Sequence, residues 1–136
     1  MAMELKEAVN SRAGNRCEYC LMHQSLQGAT FHNEHVFPRS AGGTSEINNL
    51  ALACPSCNLH KSDRVAVALA GFDQPIALFN PRKEQWRDHF AWDDYTVIGK
   101  TDVGKTTIIA LDLNHERRIK IRKAEQLFGL FPSEVT

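Results

Sequence analysis

Apolar positions along the chain come in short runs divided by polar turns, and the period of the runs changes from one to the next. Met3 to Ala13 reads as a first helix, stopped by Gly14-Asn15. Thr30 to Phe37 contains Phe31, Val36 and Phe37 and suits a short strand before Pro38. Asn49 to Ala53 suits a second short strand. Pro55 then sits where proline favours the first turn of a helix, and that helix would carry Cys57, Asn58 and Lys61. The small apolar text from Val65 to Gly71 reads as the end of this helix. An aromatic segment, "LFNPRKEQWRDHFAWDD", follows; then a hairpin is expected from about Thr96 to Leu113 and a last helix from about Glu116 to Phe128. The pattern defines an α+β chain with a strand–loop–strand–helix core over residues 1–70. Residues 71–136 form a C-terminal extension of hairpin and helix packed on that core. No internal repeat and no low-complexity linker interrupts it.

Composition narrows the function classes. The chain has 136 residues and a formal net charge of zero, with 6 basic and 6 acidic residues in 1–65 and 10 of each in 66–136. Neutrality counts against tight, non-specific coating of DNA, yet leaves room for a local basic groove. No apolar run approaches the roughly 18 residues that a membrane helix needs. The opening "MAMELKEAVNSR" is charged early and lacks the apolar centre of a secretory signal, so a cytoplasmic location is expected.

The four cysteines form two C-x-x-C pairs, Cys17/Cys20 and Cys54/Cys57, with 33 residues between Cys20 and Cys54. A two-residue spacer curls the backbone so that both sulfurs face one point, and two such knuckles close a tetrahedron around one zinc. Such a site has no open position, which makes the zinc structural. Two disulfides or a redox pair are the alternatives. Disulfides are disfavoured in the cytoplasm, and a redox C-x-x-C normally stands alone. Zinc would also staple a thin core.

Closing that loop brings "FHNEHVFPRSAGG", Phe31 to Gly43, towards the second knuckle, "NNLALACPSCNLHKSD". The ordered set "CEYC…FHNEHVFPRSAGG…INNLALACPSCNLHK", covering about Arg16 to Asp63, resembles the HNH endonuclease family, the ββα-metal or His-Me finger class. His35 and Asn49 are 14 positions apart, and Asn49 and Asn58 are 9 apart, as in that family. The resemblance implies a ββα-metal core and a metal-dependent DNA hydrolase leaving 5′-phosphate and 3′-hydroxyl ends. It implies that His35 is the general base that takes a proton from water, a task suited to a side chain titrating near neutrality. It implies that Asn49 orients His35 and its loop, and that Glu34 and Asn58 are ligands of a catalytic Mg²⁺ or Mn²⁺. Glu34 stands where Asp or His is usual, and Ser62 stands where some members carry a further histidine. Neighbours on an ideal strand point oppositely, so Glu34 and His35 serve one site only on a bent strand.

Arg39, between Pro38 and the Gly42-Gly43 turn, is expected to touch a phosphate, although any carboxylate could pair with it. Lys61, one turn beyond Asn58, is either a phosphate contact or a surface charge. Asn49 and Asn58 read alternatively as turn and cap residues, and His32 as a solvated strand residue. "GKTDVGKT", Gly99 to Thr106, fits the phosphate-cradling pattern G-x-x-x-x-G-K-[ST]. The β-branched "TTIIAL" after it reads as strand, not as the helix that such a loop requires, so nucleotide binding is not expected. The tryptophans of the extension read as packing residues. Arg117, Arg118, Lys120, Arg122 and Lys123 read as a DNA-facing cluster or a solvated face. Double-stranded DNA is the expected partner, with no membrane involved. A single site nicks one strand, and a double-strand cut needs a dimer or two events. The rival reading is a catalytically silent, zinc-stabilised module that binds nucleic acid or protein.

Overall fold

Why the two knuckles can meet is set by what lies between them. The computed structural model describes residues 1–133. Helix α1 (Met3–Ala13) ends at Gly14, whose left-handed backbone (φ 61°) turns the chain into the first knuckle. Strands β1 (His32–His35) and β2 (Leu50–Ala53) then pair antiparallel, with Glu34 opposite Ala51 and His35 opposite Leu50. All four residues of β2 are buried, so this strand is the floor of the core. Helix α2 (Pro55–Lys61) starts with Pro55 in its first turn, and the Cys54 sulfur caps it by accepting the Cys57 N–H at 3.3 Å.

The chain from β1 to β2 folds back through single 3₁₀ turns at Arg39–Ala41 and Ile47–Asn49. Its tightest point is Gly43. A Cβ there would lie 1.9 Å from the Phe37 carbonyl oxygen, so only glycine lets the loop close.

Beyond α2 the structure departs from the sequence reading in three places. Helix α2 stops at Lys61, and residues 65–71 do not extend it. Ser62 turns out at φ 53°, and β3 (Ala66–Val67) pairs with β4 (Ile76–Ala77) instead. The hairpin lies earlier than expected: after α3 (Trp86–His89), β5 (Phe90–Asp93) pairs with β6 (Thr96–Gly99). Residues 102–110, read as strand, form helix α4 (Asp102–Ala110). Thr101 caps α4 by accepting the Gly104 N–H at 3.0 Å, and Asp102 favours its first turn. Capping and packing outweigh the modest helix cost of "TTIIA". Thr107 is fully buried and uses its hydroxyl twice, donating to Val103 O (2.7 Å) and accepting from Phe79 N (2.9 Å).

The Gly99–Thr106 motif therefore sits on a strand followed by a helix, but it forms no cradle. Gly104 lies inside α4, where a Cβ would come 2.1 Å from the His89 carbonyl oxygen. Its glycine serves helix-to-backbone packing.

Helix α5 (Glu116–Leu127) closes the described chain. The buried core is continuous from Val9 through Leu52 and Phe79 to Leu113, so residues before and after position 70 share it. Trp86 is buried and donates its indole N–H to Tyr19 O at 3.0 Å, inside the first knuckle. Glu125 of α5 accepts the His23 N–H at 2.7 Å. Among the described residues no helix is long and apolar enough to cross a membrane.

Candidate active site

Cys17, Cys20, Cys54 and Cys57 are all buried, none forms a disulfide, and their sulfurs lie within 4.8 Å of one another. A tetrahedral zinc with bonds of about 2.3 Å requires sulfurs about 3.8 Å apart. The Cys20 and Cys54 sulfurs are 3.8 Å apart. The donor set fits zinc in number, chemistry and spacing. Burial pushes the Cys17 and Cys57 thiols well up, whereas Cys54, accepting hydrogen bonds from the other three, stands below the ordinary thiol range.

The extension supplies a cation to this cluster. Arg118 of α5 is 4% exposed and donates to the Cys57 sulfur at 3.3 Å, to Ser56 Oγ at 2.7 Å and to Leu111 O at 2.9 Å. Arg122, one turn on, is buried as well; it bonds Tyr95 O at 2.8 Å, also donates to Leu113 O, and lies over the Trp92 ring. The basic cluster of α5 is thus divided. Arg117, Lys120 and Lys123 face solvent, while Arg118 and Arg122 point inward, so the expectation of one solvated or DNA-facing group is corrected. Buried guanidiniums need fixed acceptors, and thiolates and carbonyls provide them.

A second centre lies on the other side of β1. His32, Asn33, Glu34, His35, Pro38, Arg39, Ser40, Asn58, Ser62 and Asp63 line an open cavity of about 520 Å³. Four residues singled out in the sequence, Glu34, His35, Arg39 and Asn58, thus border one space. His35 is half-buried, and its Nε2 lies 2.9 Å from Ser45 Oγ. Burial, and then the charge of Arg39, push the imidazole below its ordinary pKa. The Asn49 amide makes no hydrogen bond with His35. Its amide Oδ1 accepts the Phe37 N–H (2.9 Å), and its Nδ2 donates to Phe37 O (3.0 Å) and Thr44 O (2.8 Å). It pins both ends of the loop that carries Arg39 and delivers Ser45 to His35.

Glu34 is 5% exposed and fully engaged. Its Oε2 accepts the Tyr19 hydroxyl at 2.6 Å, and its Oε1 lies 2.5 Å from the Lys61 ammonium. Burial raises the Glu34 carboxyl above the ordinary range against the pull of Lys61. Lys61 is 1% exposed and donates to Val36 O at 3.0 Å. It is neither a surface charge nor placed to meet a phosphate, which corrects the expectation drawn from its position on α2. The donors of the cavity still fit a hard divalent ion. Glu34 and Asn58 border it, and the buried Asn33 Oδ1 receives no hydrogen bond. Tyr19, Asn33, Ser45 and Asp63 escaped the sequence reading. Tyr19 alone carried a hint, because an aromatic inside a buried knuckle must place its hydroxyl on some partner.

A buried four-cysteine cluster that fits zinc, a ββα unit and a histidine-lined cavity beside it define a ββα-metal type of domain. Residues 17–64 match the HNH endonuclease family model, and over that segment the chain carries an HNH domain. The chain is also similar to the Septu protein PtuB of Bacillus thuringiensis, at 27% identity over 117 residues. The match covers 85% of this chain and 43% of that protein, so the chain spans less than half of the relative's length. No solved structure matches it.

Proposed function

We propose that this protein is an HNH-type endonuclease that hydrolyses DNA phosphodiester bonds. Residues 1–70 would be the nuclease core, and residues 71–136 an extension packed on it. The observation that carries the reading is the shared cavity of Glu34, His35, Arg39 and Asn58, within the segment that matches the HNH family model.

His35 is the general base. Its depressed pKa keeps the ring neutral at physiological pH, so it can accept a proton from the attacking water. Ser45 fixes the ring, and Asn49 fixes the loop that holds Ser45. Arg39 offers its planar fork to a phosphate oxygen. When bound, Mg²⁺ or Mn²⁺ would supply positive charge to the phosphate and to the departing 3′ oxygen, with Glu34 and Asn58 as the side chains that hold it. Cys17, Cys20, Cys54 and Cys57 would hold a structural zinc. Water attack with loss of the 3′ oxygen leaves 5′-phosphate and 3′-hydroxyl ends, and one such site cuts one strand. One observation favours the rival, a silent zinc-stabilised binding module: Glu34 is already paired with Lys61.

The test is conversion of supercoiled plasmid to open circles with Mg²⁺ or Mn²⁺, its loss in EDTA, and resealing of the nicks by DNA ligase. Resealing requires a 5′-phosphate beside a 3′-hydroxyl. Binding of DNA without nicking in either metal would favour the silent module, and nicks that ligase cannot close would refute the proposed chemistry.

A further inference from the structure

Lysine is almost never fully buried unless it is paired. Lys61 is buried to 1% exposure on the last turn of α2, and its partners are both on or beside β1: Glu34 Oε1 at 2.5 Å and Val36 O at 3.0 Å. The side chains of the ion pair are 2% and 3% exposed. On the far side of the carboxylate, the Tyr19 hydroxyl takes Oε2 at 2.6 Å. The carboxylate offered to the cavity therefore already has a cation in contact.

Asn33 Oδ1, also buried and on the same cavity, meets no donor. A buried unpaired acceptor beside a carboxylate draws a cation, and here one cation is already part of the chain.

We propose that Lys61 is a resident cation that competes with the divalent metal for Glu34 and thereby sets the metal concentration at which the site fills. This inference rests on the reading of Glu34 as a metal-holding residue. Two like charges cannot share one buried carboxylate cheaply, so the ammonium must retreat towards Val36 O when a dication arrives. Lys61 is then a positioning residue, acting through Glu34. Tyr19 keeps the carboxylate in place while its partner changes, and it ties that carboxylate to the first cysteine knuckle.

The test is calorimetric titration of Mn²⁺ into the zinc-loaded full chain without nucleic acid, for wild type, Lys61→Met, Lys61→Arg and Glu34→Gln/Lys61→Met. Zinc content and thermal melts verify folding. Lys61→Met should bind Mn²⁺ at least about tenfold more tightly than wild type, as expected when a like charge leaves the site. Lys61→Arg should bind no more tightly than wild type, and the double variant should lose the gain. A folded Lys61→Met that binds no more tightly, or a gain that survives loss of Glu34, overturns the proposal. Should Lys61→Met fail to fold, the wild-type Lys61 ammonium is followed by ¹⁵N NMR during a Mg²⁺ titration. Its resonance should move with saturation; a signal unmoved at saturating Mg²⁺ overturns the proposal. A protein that nicks DNA while Lys61 ignores the metal sinks this inference alone. One in which Lys61 responds to the metal while no DNA is cut sinks the endonuclease reading alone.

Discussion

Replacing Arg118 by Met keeps most of the side chain's length and removes one buried charge from beside the cysteine cluster. Three hydrogen bonds go with it, to the Cys57 sulfur, Ser56 Oγ and Leu111 O. The guanidinium is charged, so all three are charge-assisted, a class worth about 1.5–3 kcal/mol each and not additive in general. Removing one partner of a buried charge pair costs about 3–5 kcal/mol, the figure used here. For a chain of this size each kcal/mol lowers Tm by roughly 3–5 °C, so a fall of about 10–20 °C is expected. The same substitution should speed zinc loss, because four thiolates around one dication carry excess negative charge that Arg118 offsets. Differential scanning calorimetry reads the first effect, and transfer of zinc to a chromophoric chelator reads the second. Lys at 118 should recover only part of either, since an ammonium cannot reach three acceptors with a planar fork. A Tm change below about 3 °C with unaltered zinc transfer would refute the claim that the extension stabilises the metal cluster.

Cys54→Ala should drop zinc below one equivalent and leave residues 17–64 unfolded. A structural zinc contributes about 10–16 kcal/mol, as much as the whole stability of a typical domain; metal analysis with circular dichroism checks it, and a folded, zinc-free variant would contradict it. His35 acts as a base only when neutral, and its pKa lies below 6.5 through burial and then Arg39, so the acid limb of the pH–rate profile should have its midpoint below pH 6.5. Arg39→Gln removes the second cause and leaves the first, so that midpoint should move upward; kcat/KM profiles of the two proteins, which report the free enzyme, decide it, and an unmoved or lowered midpoint would contradict the role given to Arg39.

The ββα segment was legible because its determinants are local. Pro55 starts α2, Cys54 caps it, the short apolar runs mark β1 and β2, and two identical spacers mark the metal cluster. The regions that were misread depend on distant partners. Residues 102–110 have strand-like text, but Thr101 caps them and Phe79 and His89 pack against them, so they are helical. The fate of Lys61 was hidden because its carboxylate lies on β1 and its second acceptor is a backbone carbonyl, which no side-chain pattern displays. The α5 arginines did leave a trace. Arg118, Arg122 and Glu125 recur at helical spacing on one face, and all three are buried. Charge at core positions of a helix signals an internal partner, here a sulfur cluster and a row of carbonyls. The cavity residues Asn33 and Asp63 left no such trace, since single polar residues near a turn have no period.

The central claim is that the imidazole at position 35 performs the chemistry, while the cysteine cluster only holds the frame. Plasmid cleavage by His35→Ala, compared with wild type at equal zinc content and equal Tm, tests it most directly. The account predicts a loss of at least about 100-fold, the lower bound for removing a general base. Equal cleavage rates from the two proteins would contradict it.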